Sequence, residues 1–259
     1  MFNFFKKKDV DIQAPEDQPI EEDYNDVSEI ASYFKNETGV TFDAQTSILR
    51  NKLTTFSRQR EIPSFTKLLS IIQSDTDVKQ ELIDALTTNE TFFYREFKQI
   101  EQLVELVKNS SSTVRILCAP SATGEEPYSI AIALLEAGVS SSHFSIVGID
   151  INSDALNKAN TAIYRERNVR NLSQELINKY FSHYEDKYVL NESIKSLVNF
   201  EQFNLFDRDI KRLGKFDFIF SRNMLIYFDK ETKLKAKKIL EDLRKETTYE
   251  IFFGHADLF

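Results

Sequence analysis

After Ser112 the chain changes its hydrophobic period. Val114-Arg-Ile-Leu-Cys-Ala119, Phe144-Ser-Ile-Val-Gly-Ile-Asp150 and Phe216-Asp-Phe-Ile-Phe-Ser221 are short, mainly apolar runs rich in β-branched and aromatic residues, which reads as buried strand. Between and after them lie segments of helical period, at 125–137, 152–164 and 230–245, and Tyr249–Phe253 reads as a last strand. A strand that is apolar on both faces must be covered on both, and intervening helices supply the cover. Residues 111–259 are therefore expected to form an α/β domain around a doubly wound, mostly parallel sheet. Two alternating runs, Tyr188-Val-Leu190 and Leu197-Val-Asn-Phe200, read as a small β insertion at about 185–203.

Upstream, only the helical period is present. Val27, Ile30, Ala31 and Phe34 fall at i, i+3, i+4 and i+7, and Gly39 stands where a glycine ends a helix. Asp43 can cap a second helix carrying Ile48, Leu49, Leu53 and Phe56. Ser64 can cap a third with Phe65, Leu68, Leu69 and Ile72. Thr76 or Asp77 can open a fourth with Val78, Leu82, Ala85 and Leu86. The spacing predicts a small all-helical domain over 26–86. Residues 87–110 then form a linker and a helix, about Phe97–Lys108. Residues 1–25 set Pro15 and Pro19 among seven acids, the texture of a flexible tail. Phe2, Phe4, Phe5 and Lys6–Lys8 leave a short membrane-surface contact as a secondary reading.

Glycine supply limits the cofactor. The 259 residues hold six glycines, against about eighteen at average usage. The loop after the first strand, Pro120-Ser-Ala-Thr-Gly124, has one, so the G-x-G-x-x-G that lets a backbone approach a pyrophosphate is missing. This argues against a nicotinamide dehydrogenase of the same fold class. Glu125 and Glu126 open the following helix; carboxylates there repel phosphate and attract a cation. Asp150 ends the second strand, where an acid commonly accepts hydrogen bonds from a ribose, although it is equally well placed to cap the next turn. Adenosine with a positive centre and no phosphate describes S-adenosylmethionine.

Other counts exclude whole classes. Cys118 is the single cysteine, which leaves neither an internal disulfide nor a cysteine zinc site. No run of 18 apolar residues predicts membrane insertion. A net charge of −8 disfavours nucleic acid. The start, MFNFFKKK, has the wrong order for a secretory signal, so a cytoplasmic protein is expected. Of the three histidines, His143, His183 and His255, none lies near a nucleophile motif. Between Asp43 and Glu61 there is no acid, while Arg50, Lys52, Arg58 and Arg60 form a local basic patch suited to steering an acidic partner.

Four stretches carry a resemblance. Thr87-Thr-Asn-Glu-Thr-Phe-Phe-Tyr-Arg-Glu96, Ala122-Thr-Gly-Glu-Glu-Pro-Tyr-Ser-Ile-Ala131, Gly148-Ile-Asp-Ile151 and Phe216-Asp-Phe-Ile-Phe-Ser-Arg-Asn-Met-Leu-Ile-Tyr-Phe-Asp229 resemble CheR-type chemotaxis protein methyltransferases. The match runs in order from about residue 27 to Gly254-His255. It implies a helical receptor-recognition domain and the S-adenosylmethionine-dependent methyltransferase fold with a small β-subdomain. It also implies methyl transfer to glutamate side chains of chemoreceptor cytoplasmic helices by a monomer. By motif, Asn89, Thr91 and Arg95 become cofactor contacts, with Glu126 at the helix start and Asp150 on the ribose. Asn204 and Leu205 match the adenine-side pair, and Ser221 and Arg222 end the next strand at the site. Arg95 and Tyr227 match the residues nearest the transferred methyl. Lys52 and Arg58 match the basic helix that faces the receptor.

The chemistry agrees with the residue inventory. A glutamate is already ionised at neutral pH, so it needs no general base; it needs desolvation and alignment. The chain departs from the family pattern at Pro120 and Ala122. At Arg244-Lys-Glu-Thr-Thr-Tyr249 it lacks the usual proline-glycine turn. It ends at Phe259, before the family's closing antiparallel strand, which implies a short variant or a truncated chain with Tyr249–Phe253 exposed on one side. A catalytically weak or inactive receptor-binding regulatory module that retains the cofactor pocket is the alternative.

Overall fold

The computed structural model describes residues 22–245 and 251–257. Eight strands occur among them: β1 (Val114–Cys118), β2 (Phe144–Asp150), β3 (Ile163–Arg165), β4 (Phe181–Tyr184), β5 (Lys187–Leu190), β6 (Val198–Gln202), β7 (Phe218–Ser221) and β8 (Ile251–Phe253). Five form the central sheet, ordered β6-β2-β1-β7-β8, with every pairing parallel. The chain runs outward from β1 to β6 on one side and returns to β7 and β8 on the other. The order thus reverses at β1, and the crevice at the carboxyl ends of β1, β2 and β7 is the place where such sheets bind ligands.

Eleven α-helices are described, several of which cover the sheet as the apolar runs require. They are α1 (Ser28–Thr38), α2 (Thr46–Gln59), α3 (Phe65–Ile72), α4 (Thr76–Leu86), α5 (Phe97–Lys108), α6 (Glu125–Glu136), α7 (Ser153–Thr161), α8 (Glu166–Val169), α9 (Gln174–Tyr180), α10 (Glu192–Lys195) and α11 (Lys230–Leu243). Along β1 the side chains alternate between two cores. Ile116 and Cys118 pack with α5 and α6, and Leu117 packs with Leu240 and Leu243 of α11. A third core, including Ile30, Leu49, Leu53, Phe65, Leu68 and Leu82, fills the bundle α1–α4.

Boundaries moved where local signals compete. Ser64 caps α3 and Asn152 caps α7, each accepting a backbone N–H. Asp75 rather than Thr76 or Asp77 caps α4, and α2 starts after Gln45, not Asp43. The helix expected over 152–164 ends at Thr161 because Ala162 turns left-handed (φ 54°), and Ile163–Arg165 becomes strand. The β insertion expected at 185–203 is corrected likewise. Its small sheet is β3-β5-β4, spanning 163–190, whereas Val198–Gln202 pairs in parallel with β2 as an edge of the main sheet. Alternation alone cannot say which sheet a half-covered strand joins.

Most of the tail expected over 1–25 lies outside the described residues, but its end is docked. Asp23 exchanges backbone bonds with Pro63 and Phe65, and Tyr24 packs its ring at a tilt against Phe65 and donates to the Ile62 carbonyl. The bundle is joined to the α/β half through α4. Asp84 accepts from the Ser153 N–H (2.8 Å) and hydroxyl (2.5 Å), and Asn152 Nδ2 donates to Thr87 Oγ1 at 2.7 Å. Among the described residues no helix is long and apolar enough to cross a membrane, and no cluster of three metal-ligating side chains occurs.

Candidate active site

A cavity of about 500 Å³ opens between the carboxyl ends of β1 and β2, the loop 87–95, and the bundle. Asn89, Thr91, Arg95, Glu126, Asp150, Asn204, Leu205, Arg222, Tyr227 and Lys52 all line it. Ser221 does not; it ends β7 fully buried, with an unpartnered hydroxyl. Arg58 does not either.

Asp150 is held by the turn after β1. The Ala122 N–H donates to its Oδ2 at 2.8 Å, and the Asn152 N–H to its Oδ1 at 2.9 Å. Ala122 is left-handed (φ 47°), and Gly124 follows at φ 92°, so the loop curls over the carboxylate. A side chain at Gly124 would meet Ala159 and Tyr128 at 3.0 Å, the close approach that requires glycine there. The carboxyl is 5% exposed. Burial raises its pKa to about 6, against the smaller lowering by the backbone N–H groups of Asn152, Ala122 and Ile151.

Glu126 and Glu125 part company. Glu126 lines the cavity, and its Oε2 accepts from Arg222 Nε, a buried ion pair. Its Oε1 is buried with no nitrogen or oxygen donor bonded to it, and the Cys118 thiol lies against the same carboxylate. Burial pushes its pKa up, partly offset by Arg222. Glu125, expected to face a cation beside it, turns into the protein instead. It accepts from Thr123 Oγ1 at 2.6 Å and Asn168 Nδ2 at 2.7 Å. Adjacent helical residues point about 100° apart, so only one of the two faces the cavity.

Arg222 is likewise spoken for. Its NH1 donates to the Arg95 carbonyl at 2.9 Å and lies 3.9 Å from Glu96 Oε2. His255 Nδ1 sits 3.0 Å from the same Glu96 oxygen, at the surface. Asn204 is also committed: Nδ2 donates to the Glu37 carbonyl at 2.5 Å, and Oδ1 accepts from the Phe206 N–H at 3.0 Å. Its side chain therefore clamps α1 to the cavity rim, beside the buried Leu205.

Loop 87–96 is rigid for a reason visible in its aromatic run. Phe93, fully buried, meets Tyr164 and Phe181 edge-on at 4.9 and 5.2 Å, and Tyr94 stacks on Phe97 at 4.0 Å. Tyr94 and Glu96 adopt left-handed backbone (φ 57° and 49°). Arg95 between them projects to the cavity, with NH1 donating to the Glu90 carbonyl at 3.0 Å and no acid paired to it among the described residues. Opposite, the turn after β7 presents Ile226 and Tyr227, 43% and 36% exposed.

Two of the four cations of the α2 patch meet acids at the surface, while Arg50 has no ion pair among the described residues. Arg58 pairs with Glu22 at 2.7 Å and Arg60 with Glu81 at 2.6 Å. Lys52 Nζ donates to the Ala85 and Leu86 carbonyls at 3.1 and 3.2 Å, where the α4 dipole favours a cation. Burial pulls its ammonium below the usual lysine range.

Two groups escaped the sequence reading. Asp257, 1% exposed, accepts from the Gly254 N–H at 3.1 Å and from the Asn223 N–H, fastening 254–257 to the turn that carries Tyr227. Ser121 lines the cavity with an unpartnered hydroxyl; its position directly after the first strand was the available signal.

The donors fit S-adenosylmethionine. Three acids, Glu90, Glu126 and Asp150, line the cavity, and the last two stand where a phosphate-bearing ligand needs cations or bare backbone. Glu126 keeps a buried, unfilled acceptor, which suits an ammonium.

Residues 89–259 match the family model described as CheR methyltransferase, SAM binding domain. Curated relatives named chemotaxis protein methyltransferase align over most of the chain. The Campylobacter jejuni protein is 34% identical over 238 residues, covering 90% of this chain and 88% of its own. Chemotaxis protein methyltransferase 2 of Vibrio cholerae is 35% identical over 246 residues, covering 90% and 85%. The Salmonella typhimurium protein is 32% identical over 227 residues, covering 85% and 78%.

Proposed function

The chain belongs to the CheR methyltransferase family, and within it we propose that it methylates glutamate side chains on the cytoplasmic helices of chemoreceptors. It is an S-adenosylmethionine-dependent methyltransferase of chemotaxis. The proposal concerns its acceptor and the residues that serve it.

When bound, S-adenosylmethionine supplies a methyl group on positively charged sulfur. Asp150 would accept hydrogen bonds from the ribose hydroxyls; its two oxygens hold the Ala122 and Asn152 N–H groups and have lone-pair capacity left. Glu126 Oε1 would accept a hydrogen bond from the amino group of the methionine part, with Asn89 and Thr91 on the same side. Leu205 would pack the adenine, with Asn204 fixing that edge through its bonds to Glu37 and Phe206. Ser221 and Arg222 support from behind, Arg222 by holding Glu126 in place.

Arg95 carries the acceptor reading. A guanidinium at the mouth with no acid of its own can take an incoming carboxylate and fix one oxygen in line. Tyr227 faces the same space, and its hydroxyl makes no hydrogen bond among the described residues. It can donate to that carboxylate or wall the methyl's path. No proton has to move, and among the described residues no histidine lines the cavity. Lys52 and Arg58 enter this reading differently: Lys52 holds the end of α4 beside loop 87–91, and Arg58 contributes little while paired to Glu22. The reading implies a cytoplasmic protein.

The test is labelled S-adenosylmethionine with receptor-containing membranes. Base-labile methyl esters should form, and Arg95→Ala should abolish them while far-ultraviolet circular dichroism stays unchanged. Absence of esters under conditions where the Salmonella relative forms them would refute the acceptor assignment. Tight S-adenosylhomocysteine binding without turnover would favour the regulatory-module alternative.

A further inference from the structure

We propose that the acidic substrate helix also docks on a basic rim formed by α8 and loop 91–95, centred on Arg167 and Arg170. The inference rests on the acceptor being a glutamate on an acidic helix.

The stretch Ile163-Tyr-Arg-Glu-Arg-Asn-Val-Arg170 holds three arginines and one acid. Arg165, Arg167 and Arg170 are exposed, and none has an acidic side chain within ion-pair distance among the described residues. Arg165 also stands opposite Lys187 across the β3–β5 ladder, a like-charge pairing that costs stability. In a chain of net charge −8, unneutralised arginines at this density need a reason. On α2, by comparison, Arg58 and Arg60 each pair with a surface acid, and Arg50 has no ion pair among the described residues.

The rim is continuous with the cavity mouth. The Arg170 guanidinium lies over the Phe92 ring at 3.7 Å from its centroid, and that of Arg95 lies 5.7 Å from the same ring. Phe92 thus links a mouth-lining cation to the α8 cations. The arrangement is held rigidly. The Phe93 N–H donates to the Asn168 carbonyl at 2.8 Å, and Asn168 Nδ2 reaches Glu125. Arg170 NH1 donates to the Arg167 carbonyl at 2.6 Å. A helix presenting one glutamate to Arg95 would lay its neighbouring acids along Phe92 and α8. Cations ordered by stacking lose less side-chain freedom on pairing.

The experiment uses the full chain, and a labelled helical peptide carrying several glutamates as probe, read by fluorescence anisotropy at low and high salt. Methylation kinetics are measured in parallel. Replacing both residues by glutamine (R167Q with R170Q) should weaken peptide binding about fivefold, as two rim ion pairs warrant, and should flatten its salt dependence. Replacing both by lysine should restore most of the affinity. S-adenosylhomocysteine affinity should stay at the wild-type value in both. Unchanged peptide affinity in the glutamine pair, an equal loss in the lysine pair, or no peptide binding by the wild type would each overturn the proposal. If the peptide binds and the variants behave as expected but no methyl ester forms, the acceptor chemistry fails and the docking surface stands.

Discussion

Asp150→Asn probes the site where burial and function oppose each other most directly. In the protein without ligand, burial raises the Asp150 pKa from 3.8 to about 6. That difference corresponds to about 3 kcal/mol. A carboxyl with a raised pKa keeps its proton in the fold at a pH where the unfolded chain has released it. Stability therefore falls as pH rises from about 4 to about 6, and is level above that. Asparagine cannot titrate, so the wild-type minus variant difference should drop by about 3 kcal/mol between pH 3.5 and 7. Urea unfolding across that range measures it, and the other acids cancel in the difference. Ligand affinity runs the other way: S-adenosylhomocysteine binding to wild type should weaken as pH drops through 6. The variant should bind more weakly, with a flat profile in that range. A stability difference constant to within about 1 kcal/mol from pH 3.5 to 7 would refute the reasoning, because Asp150 would then be ionised in the fold without cost.

Three further outcomes follow from packing and charge. Glu126→Gln leaves the buried Arg222 guanidinium with Glu96 as its nearest acid, at 3.9 Å; it should cost about 3 kcal/mol in urea unfolding and lower S-adenosylhomocysteine affinity in calorimetry. Asp257→Ala strips an acceptor from the Asn223 and Gly254 N–H groups, costing about 2 kcal/mol; turnover should fall with cofactor affinity retained, since the turn bearing Tyr227 loosens. Gly39→Ala forces a Cβ at φ 78° to 2.5 Å from Phe206 Cε2 and 2.9 Å from Thr232, which should destabilise by about 2 kcal/mol in thermal or urea unfolding.

Local sequence signals transferred well where one local cause decides. The Ser64 and Asn152 caps, the apolar strands and the glycine end of α1 each depend on a few adjacent residues. The signals were silent where a distant partner decides. Leu197-Val-Asn-Phe200 has the same alternation whether it joins the small sheet or pairs with β2. Arg58 has the same charge whether free or paired with Glu22, more than thirty residues away. Asp257 reads as an ordinary acid near the chain's end until it is found beneath the turn after β7.

By itself the sequence determined a parallel α/β sheet next to a helical bundle, and a cofactor site short of glycine and rich in carboxylate. Those follow from hydrophobic period and from residue chemistry, which are properties of neighbours along the chain. Only the tertiary structure decided which charges remain available. It turned Glu125 inward and Glu126 toward the cavity, gave Arg222, Lys52 and Arg58 partners within the chain, and left Arg95, Arg167 and Arg170 without an ion pair among the described residues. An ion pair or a buried carboxylate depends on what the fold brings within a few ångströms, and on how much water it removes.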